Sequence, residues 1–152
     1  MTVELLTLVQ AARQSGDFSP LIQAIPYWRF MGLSARVEDG ELLGVLRYSD
    51  ALIGNPTLPA LHGGTIGALL ETTAVLELFF QAETVVIPKT INVTVAYLRS
   101  GKPVDTFAKA RITKQGRRIV AVQTEAWQDD RARPIASASA NFLVTPADVP
   151  PT

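Results

Sequence analysis

A chain of 152 residues, 47% of them hydrophobic, is long enough for one domain with a full-sized core. Its 14 basic and 14 acidic residues balance, so no basic excess points to a nucleic-acid partner or an anionic membrane. The absence of cysteine and the single histidine exclude disulfides, thiolate nucleophiles, Cys-type zinc sites and a His-rich metal cage within one chain.

The N-terminus, Met-Thr-Val-Glu-Leu-Leu, lacks the positive flank of a signal peptide, so a cytoplasmic location is expected. Residues 2–14 carry Leu5, Leu6, Leu8, Val9 and Ala12 at amphipathic helix spacing, with Thr2 as the cap and Gly16 as the stop. Residues 19–25 add a short helical turn before Pro26. Two apolar runs, 33–38 and 42–48, flank Asp39-Gly40 and predict a hairpin. Residues 50–61, with Gly54, Asn55, Pro56 and Pro59, read as an irregular loop.

Residues 61–80 predict one long helix, apolar on nearly every face, as buried helices are. Its glycines, two glutamates and threonines argue against a membrane span. Four strand-like runs follow at about 90–98, 106–113, 118–127 and 135–144, rich in Thr, Val and Ile. The linkers at 100–103, 115–116 and 129–134 are short, which predicts antiparallel neighbours. The order is helix, two strands, long helix, four strands. That is an α+β layout with a helix on one face of an antiparallel sheet. Residues 1–29 form a helical extension, 30–146 the main domain and 147–152 a tail expected to fray.

The long helix carries the candidate chemistry. Glu71 is a carboxylate in an apolar setting, costly unless it has partners or a task. His62, Gly63 and Gly64 open the helix. The glycines give up helix propensity and offer bare N–H groups to a ligand. The helix end also carries partial positive charge, which suits a developing oxyanion. The structural alternatives are a helix acid bonded to a neighbour, a histidine with a satisfied ring, and glycines serving close packing. Glu77 lies six positions on, off the Glu71 face, and is expected to be solvated or at an interface. Thr72 and Thr73 are expected to pack or to bond back to the helix backbone. Arg99, Lys102, Arg117 and Arg118 fall at strand ends or in turns, as solvated charges or as anion contacts. Trp28, Trp127 and the phenylalanines are expected in a core or interface.

Over roughly residues 30–145 the chain resembles the hotdog-fold thioesterase superfamily, and within it the PaaI-type acyl-CoA thioesterases. Three stretches carry the likeness. They are His62-Gly63-Gly64 followed after six residues by Glu71, the run Thr90-Ile91-Asn92-Val93-Thr94-Val95-Ala96-Tyr97-Leu98-Arg99, and Gln115-Gly116-Arg117-Arg118-Ile119-Val120-Ala121. The resemblance implies an antiparallel sheet wrapped around a long central helix, with the N-terminal helix as an addition. It also implies hydrolysis of an acyl-CoA thioester to a carboxylic acid and free CoA. By the same resemblance Glu71 is the nucleophile or general base, and the Gly63 N–H polarises the thioester carbonyl. His62 lies near the thioester and its leaving sulfur. Asn55 stands where the family often places Asn or Gln before the histidine, at an interval one residue longer here. Thr90 matches a hydroxyl that some members carry at the start of the following strand. Others carry Ser or Thr one turn after the acid, where this chain has Val75. Gly64, Arg99, Arg117 and Arg118 are the candidates for contact with substrate and the CoA phosphates. No metal or prosthetic group is implied, and CoA belongs to the substrate.

Gly63 and Glu71 stand eight residues apart on one helix, about 12 Å along its axis. They cannot both touch one carbonyl carbon. Each site then takes Gly63 from one subunit and Glu71 from another, with two helices antiparallel across a twofold axis. The resemblance implies the same homodimer, with its sheets side by side, and a dimer of dimers is the larger form. Two rival readings are a hotdog dehydratase or hydratase and a non-catalytic acyl-CoA binder.

Overall fold

The computed structural model describes residues 2–81 and 86–144, with side chains from residue 4. The Thr2 side chain, the expected cap, lies outside what is described, as does the 147–152 tail. Helix α1 spans Thr2–Ser15 and α2 Ser19–Ala24. The helical turn expected before Pro26 forms as α2, and Pro26 then starts a further helix, α3, Pro26–Met31. A proline loses nothing at the first helical position, where its missing N–H would have had no partner. Gly32, at φ 71°, closes α3 in the left-handed conformation.

The expected hairpin forms from β1, Leu33–Glu38, and β2, Glu41–Leu46. Its turn holds Asp39 and Gly40 at φ 51° and 77°, the positive pair that a two-residue hairpin demands. The stretch expected as a loop is more regular than its prolines suggested. It holds a 3-10 turn at Asp50–Leu52, then a small hairpin of β3, Ile53–Asn55, and β4, Ala60–Leu61, with both prolines at or inside its tip.

Helix α4, Gly63–Gln81, is the expected central helix. It is long and apolar enough to cross a membrane, but 67% of it is buried inside the fold. The last four strands are β5, Lys89–Tyr97, β6, Thr106–Gln115, β7, Ile119–Trp127, and β8, Ala136–Leu143. With β1 and β2 they make one antiparallel sheet in the order β1-β2-β6-β7-β8-β5. Small residues let α4 approach the sheet. Ala108, Ala110, Ala138 and Ala140 are buried, and a Cβ at Gly44 would collide with the Thr73 hydroxyl. Thr73 bonds back to the Leu69 carbonyl at 2.7 Å, as expected. Leu21, Ile22 and Phe18 extend the core over the C-terminal half of α4, and Arg13 donates to the Phe79 carbonyl near its end. The result is the wrapped sheet and central helix of the hotdog fold, with N-terminal helices added. Phe30 lies outside the core: it is 78% exposed and stacks on Tyr27.

Two features of the sheet depart from the sequence reading. The short linker after β5 does not make β5 and β6 neighbours. β5 pairs with β8 at the far edge, and residues 98–105 cross the strand ends to reach β6. Leu98 and Arg99 N–H groups tie that crossing to the Ile135 carbonyl, and Gln128 holds Lys102. Second, β2 and β6 pair only from Gly44 to Leu46 and then part. Glu77 reaches Lys109 beside that parting and bonds it through both oxygens at 3.2 Å, its side chain only 4% exposed. The expectation of a solvated Glu77 is therefore wrong. A cation 32 residues away sets its position, which helix periodicity does not register.

Candidate active site

At the start of α4 nearly every backbone group has a partner. His62 stands just before the helix, and its Nδ1 accepts the Gly64 N–H at 2.8 Å. That bond assigns the ring proton of the neutral imidazole to Nε2. The His62 carbonyl accepts from Thr65 and Ile66 N–H at 3.0 and 3.4 Å. Among the described residues no group accepts the Gly63 N–H, which leaves one free donor at the positive end of the helix. Gly64 is required here, because a Cβ on it would lie 2.9 Å from Nδ1 of His62. Tyr97, at the end of β5, donates its hydroxyl to the Gly63 carbonyl at 2.7 Å. A cavity of about 340 Å³ opens beside Gly63, lined also by Tyr97, Arg99, Ser100 and Gly101.

Glu71 is half-buried two turns further on, and its Oε1 accepts the Thr90 hydroxyl at 2.7 Å. Thr90 reaches it because of a bulge. Val93, Val95 and Tyr97 face α4, opposite Ala140, Ala138 and Ala136. Simple alternation would turn residue 91 toward the helix and Thr90 away. The register shifts between Thr90 and Asn92, so Thr90 sits opposite the buried Phe142 and faces the helix. Ile91 is left 50% exposed.

The expected site residues therefore fall into two groups. His62, Gly63 and Gly64 gather at the start of α4, with Arg99 at the same end of the sheet, where it donates to the Pro134 carbonyl at 2.7 Å. Glu71 and Thr90 meet two turns on. Arg117 and Arg118 lie in the β6–β7 turn, at the end of the sheet where β5 begins. With Lys114 they line an open groove of about 370 Å³ that no acid among the described residues lines. Within one chain Gly63 and Glu71 do not meet. Asn55 is employed in the small hairpin, its Oδ1 accepting the N–H groups of Thr57 and Leu58 at 3.0 and 3.3 Å.

The sequence reading gave Tyr97 no role. Its signal was the pair Gly63 and Gly67, one helical turn apart, both of which leave space that the phenol fills.

The family model described as Thioesterase superfamily matches residues 58–135 of this chain. Among solved structures, the chain is similar to a protein of Chromobacterium violaceum. The two share 38% identity and a TM-score of 0.75, over 92% of this chain and 98% of that one. It is also similar to a phenylacetic acid degradation-related protein of Ralstonia eutropha, at 26% identity and a TM-score of 0.69, over 79% and 91% of the two chains. A Bacillus halodurans protein solved with CoA shares the fold alone, at 18% identity and a TM-score of 0.69, over 96% and 92%. No curated protein matched.

Proposed function

This chain belongs to the thioesterase superfamily, and on that premise we propose that it hydrolyses an acyl-CoA thioester to a carboxylic acid and free CoA. One observation carries the reading: among the described residues, a single helix offers a free N–H at Gly63 and, about 12 Å along, a carboxylate held by a hydroxyl and by no cation. The Gly63 N–H takes the charge that develops on the thioester oxygen. Glu71 either attacks the carbonyl carbon, giving an anhydride that water then hydrolyses to the acid and the free carboxylate, or takes the proton of the attacking water. The C–S bond breaks, and the thiolate leaves beside His62, whose Nε2–H is a donor. That tautomer also supports a thioesterase over a dehydratase or hydratase, which needs its histidine as a base. The chemistry calls on no metal or prosthetic group.

The substrate class rests on two supports. The Bacillus halodurans neighbour carries CoA, and Arg117, Arg118 and Lys114 suit its phosphates. The 12 Å separation calls for a second chain. Strand β5 is an unpaired sheet edge with Ile91 and Tyr97 exposed on it, and two copies joined there would bring Gly63 of one beside Glu71 of the other.

A panel of acyl-CoA esters read by free-thiol release tests the activity. Release from at least one ester is expected, and release from none overturns the reading. The shared site has its own test. Subunits carrying Glu71→Ala are mixed with subunits carrying Gly63→Val, after thermal melts and a tagged pull-down establish folding and exchange. About half the dimers are then mixed, each with one intact site, so activity should approach about a quarter of the parent's. Verified heterodimers no more active than the separate variants would rule out a site built from both chains.

A further inference from the structure

We infer that Tyr97 is a positioning residue that aims the Gly63 N–H, an inference that rests on the thioesterase reading. Gly63 has no side chain, so its backbone is least constrained where the site needs a fixed donor. Two peptide groups meet at its Cα. The first carries the Gly63 N–H, and its oxygen, on His62, is held by Thr65 and Ile66. The second is held at both ends: its N–H, on Gly64, by His62 Nδ1 at 2.8 Å, and its oxygen, on Gly63, by the Tyr97 hydroxyl at 2.7 Å. Only φ and ψ of Gly63 lie between the two planes. Holding both planes sets the direction of the one N–H left free.

The holding groups come from different places. His62 belongs to the approach to the helix, whereas Tyr97 belongs to β5, so the bond from Tyr97 ties the helix end to the sheet edge. The slot for the phenol is built from glycine. A Cβ at Gly63 would come within 3.2 Å of the Tyr97 hydroxyl, and one at Gly67 would come within 3.5 Å. Gly63 thus serves twice, as donor and as the gap that admits its own brace. Tyr97 also lines the cavity beside Gly63, yet its proton is committed to the Gly63 carbonyl. It therefore acts through that carbonyl rather than on the substrate.

Tyr97→Phe keeps the ring in its slot and removes the hydroxyl. Turnover should fall roughly three- to tenfold, the scale of one hydrogen bond, with KM unchanged. Exchange of the Gly64 amide hydrogen should quicken severalfold, because its peptide group has lost the anchor that ties it to the sheet. A Cβ at residue 63 would lie 3.2 Å from the hydroxyl and make the phenol shift, so in a Gly63→Ala background Tyr97→Phe should cost less than it does in the parent. Unchanged kcat, an effect on KM alone, a lowered melting temperature without a change in kcat, or fully additive effects would each overturn the inference. If the parent cleaves no thioester, the proposed function falls. Gly64 exchange then still decides whether Tyr97 holds this peptide: quickened exchange supports the brace and unchanged exchange removes it.

Discussion

Glu71 and Glu77 sit six residues apart on α4, and the fold gives them opposite surroundings. Glu77 is sealed beside the parting of β2 and β6 and bonded through both oxygens to Lys109. Burial pushes its carboxyl above the usual carboxylate range, and the Lys109 charge pulls it part of the way back. Glu71 is half-exposed and bonded to the neutral hydroxyl of Thr90, with no ion pair among the described residues. Glu77 spends both oxygens on a counter-ion, whereas Glu71 keeps one free and uncompensated. An acid on an apolar helix is thus not a signature of catalysis by itself. The partner decides, and here the partners lie 19 and 32 residues away.

The largest expected effect breaks the comparison at its catalytic side. Glu71→Gln keeps the shape and removes the anionic oxygen, so kcat should fall by roughly two orders of magnitude or more with KM and melting temperature nearly kept. The same change at Glu77 should leave kcat within about twofold, since that carboxylate serves packing. Comparable losses at both positions would erase the distinction between them.

Lys109→Met tests the structural side. It leaves a buried carboxylate without its counter-ion, which should cost about 2 kcal/mol, below the range for fully buried pairs because Lys109 is partly exposed. The sign with pH follows from Glu77's raised value. Below its unfolded pKa both states hold the proton and nothing is lost. As pH rises through the folded pKa, the unfolded state has already ionised and the folded one must follow at a cost. Removing Lys109 raises the folded pKa further, so denaturant titrations should show a deficit that is largest near neutral pH and shrinks on acidification. A deficit independent of pH would assign the loss to packing alone.

Thr90→Val keeps the bulk and deletes the hydroxyl. Turnover should drop roughly tenfold, as Glu71 loses the hydrogen bond from Thr90. Unaltered turnover would make Thr90 a spectator. The smallest effect asks whether the cationic groove belongs to the Glu71 site. Arg117→Ala and Arg118→Ala should raise KM for CoA esters roughly threefold and leave short thioesters without the nucleotide unaffected. An equal change for both substrate types would return these arginines to solvent.

Local patterns carried most of the fold. The apolar length of α4, the Asp39-Gly40 turn and the threonine- and valine-rich strands are each visible within a few residues, and each forms close to where it was expected. The sheet order is different in kind. Residues 98–105 look like a hairpin turn, but what they join depends on β8 taking the place beside β5. Pro26 was ambiguous because the same residue closes one helix and opens another. At the site, the residue types at 62–64 and 71 were legible because glycine and an apolar-helix carboxylate are unusual where they stand. Thr90 stood as a candidate hydroxyl by resemblance alone, and its bond to Glu71 was not legible, since its physical cause, one extra residue in β5, leaves no mark on an alternating pattern. Tyr97 was hidden for a like reason: its partner is a backbone oxygen, which has no letter in the sequence.

The pairing of β5 also bears on the order in which the molecule can be made. Its one neighbour, β8, lies 39 to 54 residues further along the chain. During synthesis the β1–β2 hairpin can close early, and β2 offers α4 part of its cover, but α4 emerges before β5, β6, β7 and β8. β5 must wait as an unpaired edge until Leu143 has been added. The bulge that turns Thr90 toward Glu71 exists only against β8. The nascent chain therefore holds its most apolar helix only partly covered until β8 arrives, and the hydroxyl–carboxylate contact forms in that closing step.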